Sequence, residues 1–539
     1  MVPTMRTASG KNGVVSSAHP VATRAGLRVL KKGGNAVDAA IATALTLGVV
    51  APAWSGIGGG GFALIHMAQS DETVAVDYRE VAPINSDAGM FRLKESGEVE
   101  NKANAIGPLA VAVPGIISGI ETVLDRYATM NFRDICKFTQ VQAAAGTAVA
   151  PALGLIMREN RDDVLEKFRR FEPTGQVFLR REKPLRIGQK FAIPNLAKTL
   201  TAIMSEGRQA FYEGRISENI IGYLHKSGGI FTQDDFAQYS TRIRTPVRST
   251  YRGYEICGMP PPSSGGLTII EILNIIEGFD FSKIEHYSPQ AVHIIAEAMS
   301  LAYHDRTAHI ADPDFVTVPV SELSSKKHAE ELRSKIVTSR TDYGIDRRAS
   351  PVHEGTNTTH LTVLDKEGNV AALTESIECY FGSGILVPEV GVILNDEMHD
   401  FDPRPDRLNS VAPKKRPLSS MAPTILFRDG RPQMALGSAG GLRIISSVAQ
   451  TIINIVEFGM TIPEAVTAPR FHRQADKIIL EKEMRPAELA ALTKLGHSVE
   501  IKRGPDLFYG GVHAVGFDPI KRKCIGTADP RRDGIALAF

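Results

Sequence analysis

The sequence predicts a soluble globular chain of mixed helices and strands, and three observations carry that reading. At 43% hydrophobic and 23% charged residues, the composition is that of a protein able to bury a core. Short strand-like runs alternate with helix-like segments along most of the chain. The stretch from Thr358 to Ser376 reads as a β-hairpin, with apolar/polar alternation on either side of the turn Asp365-Lys366-Glu367-Gly368-Asn369.

Taken in order, Val14–Ala18 is a short strand, and Pro20 opens a helix to Lys32 that Gly33-Gly34 stops. Asn35 then opens an apolar helix to Val50. The apolar run Ala39–Pro52 is 14 residues long, against about 20 for a bilayer span, so it belongs to a buried core helix. The glycine run Gly56–Phe62 lacks the Lys-Ser/Thr of a P-loop and opens no GxGxxG helix, which favours close backbone packing over phosphate binding. Strand Val74–Tyr78 leads into Arg79, readable as a surface charge or as a carboxylate clamp. A turn and helix follow over Ile106–Arg126, and the charged stretch Met157–Arg186 reads as solvated helices and loops. Two helices come next, Leu196–Ser205 and Ser217–Ser227. The Pro/Gly loop Gly258–Gly266 opens the helix Leu267–Ile276. His304 and His309 do not share one helix face, so no metal site is expected there. Leu323–Gly355 carries little apolar content and reads as a mobile surface segment.

The bulk chemistry excludes several classes. A formal net charge of +2 gives no reason to expect nucleic acid or an anionic membrane as partner. Cys136, Cys257, Cys379 and Cys524 form no CxxC pair, which removes a zinc ribbon and argues against a disulfide framework. Met1–Ser17 has no apolar signal-peptide core, so the chain as written is expected in the cytoplasm, unless a leader precedes it.

With the hairpin turn centred on Glu367, Thr358 lies opposite Ser376. That alone fits an ordinary pair of hydroxyls on a strand as well as a site. Acids then gather at the end of the strand Val392–Phe401, a costly arrangement unless a cation meets them. Pro417–Pro423 places Ser419 and Ser420 before a strand. Gly437–Gly441 precedes a helix over Leu442–Val456, whose first N–H groups point outward.

Together these pieces resemble the gamma-glutamyltranspeptidase (glutathione hydrolase) family of the N-terminal-nucleophile hydrolases. The motifs that carry the resemblance are Gly58–Phe62, Asp77–Pro83, Pro260–Gly266, Asp312–Phe315, Thr358–Asn369, Asn395–Phe401, Arg416–Pro423, Gly437–Gly441, Ala468–His472 and Asp529–Arg531. Their order over nearly the whole chain is what makes the match specific.

The resemblance implies an α+β fold, the four-layer αββα sandwich. It implies a precursor that cuts itself between Asn357 and Thr358. The large subunit would be residues 1–357, with 323–357 its mobile tail, and the small catalytic subunit 358–539, the two forming one αββα unit. Thr358 would be the nucleophile, its freed α-amine the base, Ser376 its orienting hydroxyl, and Gly440 and Gly441 the oxyanion hole. Arg79, Ser419 and Ser420 would bind the α-carboxylate of a γ-glutamyl donor such as glutathione, and Glu397 and Asp400 its ammonium. Water, amino acids or peptides would be acceptors, and no cofactor, metal, nucleic acid or membrane is implied. Two departures stand out. Glu378 occupies a position where the family carries Asn, and His399 stands before Asp400 in place of an acid. Three carboxylates around one ammonium would raise at least one pKa or draw in protonated His399. Only 14 residues separate Phe401 from Arg416, too few for a lid. Two other readings remain open, an acylase for a glutaryl or cephalosporin-type group and an unprocessed member that binds without cleaving.

Overall fold

The computed structural model describes residues 6–159, 163–339, 357–474, 476–504, 506–518 and 521–539. Two seven-stranded antiparallel sheets face each other, and helices cover the outer side of each. The front sheet runs Ile535–Ala538, Gly13–Ser17, Thr359–Asp365, Val370–Ser376, Gly60–Met67, Glu72–Tyr78 and Arg242–Arg244. The back sheet runs Thr7–Gly10, Lys523–Ala528, His513–Asp518, Arg431–Gly437, Thr424–Arg428, Tyr254–Gly258 and Val247–Tyr251.

Strand periodicity explains the layers. Val15, Ala63, Ile65, Val76, Val363 and Ala371 turn toward the helices Pro20–Lys31 and Ala36–Val50. Their neighbours Val14, Phe62, Leu64, Ala75, Leu364 and Val370 turn the other way, into the core shared with the back sheet and the helices Gly265–Ile276, Pro289–His309 and Arg443–Val456. Successive side chains alternate faces, so strands covered on both sides are apolar throughout. This is the αββα sandwich.

The hairpin Thr359–Asp365/Val370–Ser376 has the expected register, pairing Thr359 with Glu375 and His360 with Thr374. Its turn is fixed by Asp365, whose Oδ1 accepts the N–H groups of Glu367 at 3.0 Å and Asn369 at 2.9 Å. The same carboxylate accepts the Ala36 N–H at 2.9 Å, tying the turn to the capped start of the core helix. Asn35 and Asp38 form the capping box there.

Two expectations are corrected. Met157–Arg186 is not simply a solvated exterior. Helices Pro151–Glu159, Val164–Arg170 and Glu172–Phe178 bury Met157, Phe168 and Phe178, with the two phenyl rings stacked at 5.3 Å. Lys167 lies within this layer, its Nζ donating to the Tyr380 carbonyl at 3.1 Å. The charge count hid a helix layer with one apolar face. Leu323–Gly355 also begins as ordered structure: Ser325 caps the helix Lys326–Arg333, which buries Ala329 and Leu332. Residues 340–356 of that segment lie outside the described residues. No helix among the described residues is long and apolar enough to cross a membrane.

His328 on that short helix bonds Asp305 at 2.6 Å and lies 3.7 Å from Glu271. Its contact with Glu271 first, and then with Asp305, lifts its pKa to about 9 against the opposing effect of burial. A histidine in an unfolded chain titrates near 6.5. The stabilisation is therefore full below that value and lost as pH rises through about 9. The difference in Tm between wild type and His328→Ala, followed by calorimetry across this window, is expected to shrink with rising pH. A gap independent of pH would exclude the ion pair as its source.

Candidate active site

The Asn357–Thr358 peptide sits where the hairpin leaves the front sheet, and it is held from several sides. The Asn357 side-chain amide donates to the carbonyls of Ala53 at 2.6 Å and Cys379 at 3.0 Å. Its backbone carbonyl accepts the Gly440 N–H at 2.8 Å. Thr358 Oγ1 donates to Ser376 Oγ at 3.3 Å, and Ser376 Oγ also accepts the Glu378 N–H at 2.8 Å. Between these anchors Thr358 has φ +96°. For a β-branched residue that conformation costs on the order of 1–3 kcal/mol and persists only where surroundings impose it.

The glycine run supplies the room. A Cβ on Gly59 would stand 2.0 Å from the Ser376 carbonyl oxygen, and one on Gly58 2.1 Å from that of Ile393. The run is a close-packing element behind the hairpin. Gly440, at φ +119°, and Gly441, at φ +60°, turn the chain into the helix Arg443–Val456 and aim the Gly440 N–H at the Asn357 carbonyl.

Beside the hydroxyl pair lies a buried ionic cluster. Arg79 is fully buried and pairs with both Glu397 and Asp400, with Glu80 at 3.8 Å. Its Nη2 also donates to the Leu418 carbonyl at 3.1 Å, and its own carbonyl accepts the Tyr239 hydroxyl at 2.8 Å. Arg79 is thus the cation that the clustered acids require. Carboxylate oxygens of Glu378, Glu397 and Asp400 lie within 4.8 Å of one another. Burial first, then Asp400, pushes Glu378 up to about 8. Burial pushes Glu80 to about 7 and raises Glu397 well above the usual carboxylate range, although Arg79 opposes both. Burial disfavours protonated His399, but contact with Glu378, 3.7 Å away, outweighs it and raises the imidazole. Both expected responses to a crowd of acids therefore appear here as directions, a raised Glu378 carboxyl and a raised His399 imidazole.

The serine pair is placed by a residue the sequence gave no reason to choose. Arg306, on the helix Pro289–His309, donates to Ser420 Oγ at 3.1 Å and to Ser264 Oγ at 2.8 Å. The Ser264 hydroxyl and backbone N–H both donate to the Ser419 carbonyl, at 2.7 and 2.8 Å. Asn395, which opens a motif read in the sequence, was given no role there. Its side chain accepts from Ala112 and Glu397 N–H groups and donates to the Gly58 and Ala112 carbonyls, fixing the acid-bearing turn Glu397–Asp400. His304 and His309 are both exposed. A cavity of about 1370 Å³ opens elsewhere, lined in part by Arg6, Arg24, Arg186 and Arg532, and includes none of these site residues.

The gamma-glutamyltranspeptidase family profile matches residues 22–539. The glutathione hydrolase proenzyme of Escherichia coli is 37% identical, over 97% of this chain and 90% of that protein. The acylase ACY 1 proenzyme of a Pseudomonas species is 36% identical, over 99% of this chain and 95% of that protein. Among solved structures, the cephalosporin acylase of Bacillus halodurans aligns with TM-score 0.85 and 28% identity, over 99% of this chain and 97% of that one. The Helicobacter pylori gamma-glutamyltranspeptidase aligns with TM-score 0.57 and 38% identity, over 63% of this chain and 97% of that one. The αββα sandwich described above is the N-terminal-nucleophile hydrolase fold.

Arg306→Ala would leave the buried Ser264 and Ser420 hydroxyls without a charged donor. It is expected to lower stability by about 3 kcal/mol, read as a shift in the urea midpoint. A midpoint equal to wild type would show that Arg306 does not hold the serine pair.

Proposed function

Since the chain belongs to the gamma-glutamyltranspeptidase family, we propose that it is a γ-glutamyl hydrolase/transpeptidase. It acts on glutathione and related γ-glutamyl amides through an ester on Thr358, after cutting itself between Asn357 and Thr358. The large and small pieces, 1–357 and 358–539, stay together as one αββα unit. The single observation that carries this reading is the Gly440 N–H on the Asn357 carbonyl, beside a Thr358 hydroxyl set on Ser376.

In self-cleavage the Thr358 oxygen attacks the Asn357 carbonyl carbon, and the oxygen already bonded by Gly440 takes up the negative charge. The C–N bond breaks, the nitrogen leaves as an amine carrying the proton surrendered by the hydroxyl, and an ester remains. Water opens that ester to an Asn357 carboxylate and a free Thr358. The strained φ disappears with the bond that defines it. The new α-amine, with a reference pKa of about 7.7–8.0, then serves as base for its own hydroxyl. Attack on a γ-glutamyl carbonyl forms the acyl ester and releases the donor's amine, protonated in turn. Water or an amine acceptor completes turnover.

Recognition of the donor follows from the ionic cluster. A γ-glutamyl group carries both an α-carboxylate and an α-ammonium. Arg79 and Asp400 are already paired, and Asp400 is the more accessible of Arg79's two close acids, its side chain 11% exposed against 0% for Glu397. The substrate zwitterion inserts into that pair, its carboxylate meeting Arg79 with Ser419 and Ser420, its ammonium meeting Asp400, Glu397 and Glu378. The exchange leaves no buried charge unpaired, which is the condition for it to be affordable.

An acylase reading is favoured by the likeness to the Pseudomonas and Bacillus halodurans acylases. A glutaryl group, however, lacks the ammonium and would strand Asp400. Side-by-side assays with γ-glutamyl- and glutaryl-p-nitroanilide separate the two. Release from the γ-glutamyl compound alone is expected, and release from the glutaryl compound alone would replace this proposal with the acylase. On a denaturing gel the wild type is expected to run as two fragments and Thr358→Ala as one full-length band. A single wild-type band would instead indicate an unprocessed binding member. Glu378→Asn is expected to raise KM for γ-glutamyl donors about tenfold, equivalent to about 1.4 kcal/mol, with self-cleavage intact. Unchanged kinetics would place Glu378 outside the donor pocket.

A further inference from the structure

The chain between Ser376 and Asp400 brings together three side chains of a kind that binds metal. Glu378, with φ +72°, follows the hydroxyl pair, and Cys379 follows it directly. The Cys379 N–H is pinned to Asp396 Oδ1 at 2.9 Å. His399 sits on the turn Glu397–Asp400, its N–H bonded to the Asp396 carbonyl at 3.0 Å. Asp396 therefore fixes the backbone that carries both the thiol and the imidazole. Cys379 Sγ lies 3.8 Å from His399 Nδ1, and Glu378 Oε1 lies 3.7 Å from the same nitrogen. Donors around a tetrahedral zinc, with bonds of about 2.0–2.3 Å, stand roughly 3.3–3.6 Å apart. The two separations from His399 Nδ1 need shorten by only a few tenths of an ångström, and all three donors lie within 4.8 Å of one another.

The surroundings also favour a cation. Glu378 is 5% exposed, and its Oε1 accepts no hydrogen bond among the described residues. Glu80, Glu378, Asp396, Glu397 and Asp400 crowd around Arg79 and Lys167, the latter 3.7 Å from Asp396. A divalent cation relieves that excess. Thiolate and imidazole donors select the zinc class over magnesium or calcium, which take oxygen ligands. His399 is half-buried, which leaves the imidazole edge reachable from solvent.

We propose that Glu378, Cys379 and His399 form a three-ligand site for a zinc-class divalent cation beside the Thr358–Ser376 pair, and that filling it excludes the donor ammonium. Binding replaces the Cys379 thiol proton, and any proton on His399 or Glu378, with the metal, and those protons pass to solvent. The second half, inhibition, rests on the γ-glutamyl reading given above; the first half does not.

The test of the site uses the purified full chain and the metals alone. Titration with Co²⁺ is expected to give a thiolate-to-cobalt charge-transfer band that Zn²⁺ displaces, and calorimetry one more equivalent of tightly bound Zn²⁺ in wild type than in Cys379→Ala or His399→Gln. Absence of the band, or equal zinc binding in wild type and both variants at matched Tm, overturns the site. In the second arm, Zn²⁺ is expected to raise the apparent KM for γ-glutamyl-p-nitroanilide in wild type but not in Cys379→Ala, reversibly with a chelator. Site-specific binding without any effect on turnover overturns the inhibition alone. A protein that binds the metal yet never turns over the anilide refutes the γ-glutamyl reading and leaves the site standing.

Discussion

The rest of the site depends on the immobilisation of one peptide bond. The Asn357 amide is anchored on Ala53 and Cys379, its carbonyl on Gly440, and the next residue's hydroxyl on Ser376. These anchors come from three separate parts of the chain, around Ala53, Ser376–Cys379 and Gly440, and each needs the sandwich to be assembled. Ala53 follows the first core helix, Cys379 follows the hairpin, Gly440 follows a back-sheet strand, and Ser376 is set against Gly60 across the front sheet. The positive φ of Thr358 is what remains when all are satisfied at once. A backbone free at any one point would relax into the β region.

Electrostatics impose a second constraint. A fully buried arginine faces two close carboxylates, one negative charge more than it offsets when both are ionised, and burying the set is tolerable because burial pushes Glu397 toward its neutral form. Glu378 adds an acid without adding a cation, and burial with the neighbouring Asp400 raises its carboxyl while the surrounding acids raise the His399 imidazole. The departures from the family pattern at these two positions thus answer one another, across the turn that Asn395 and Asp396 hold in place.

The sequence was most legible where one local rule governs a position. The Thr358–Ser376 facing followed from the turn centre alone, and the glycine run was readable as close packing because it lacked the phosphate-binding residues. The clustered acids announced a missing cation, and Arg79 had already drawn notice at its strand end. Legibility failed where the partner is distant and the signal is packing. Nothing near Arg306 marks it as the donor to Ser264 and Ser420, and Lys167 looks like one more surface charge in a basic stretch. The helix Lys326–Arg333 was passed over because its apolar content is just Ala329 and Leu332 against a charged face, although Ser325 in front of it is an ordinary N-cap. Cys379 and His399 were noted separately, as a lone thiol and as a departure beside Asp400, but not as a pair, because metal spacing was sought along short stretches of sequence, whereas their approach is made by a turn.

On the reading proposed above, the same geometry requires cleavage to precede any turnover at Thr358. While the bond to Asn357 is intact, the nitrogen of Thr358 is an amide with no basicity to lend, and Gly440 is occupied by the Asn357 carbonyl. Breaking the bond releases three things together: a base of suitable pKa, an oxyanion donor, and the backbone strain at φ +96°. The hydroxyl pair and the glycine donor need not move, because the carbonyl they act on first and the carbonyl they act on afterwards stand in the same place. Under that proposal, a site that cuts its own chain is by construction preorganised for the next acyl group delivered to that position, and the donor would add only a charge pattern able to exchange with Arg79 and Asp400.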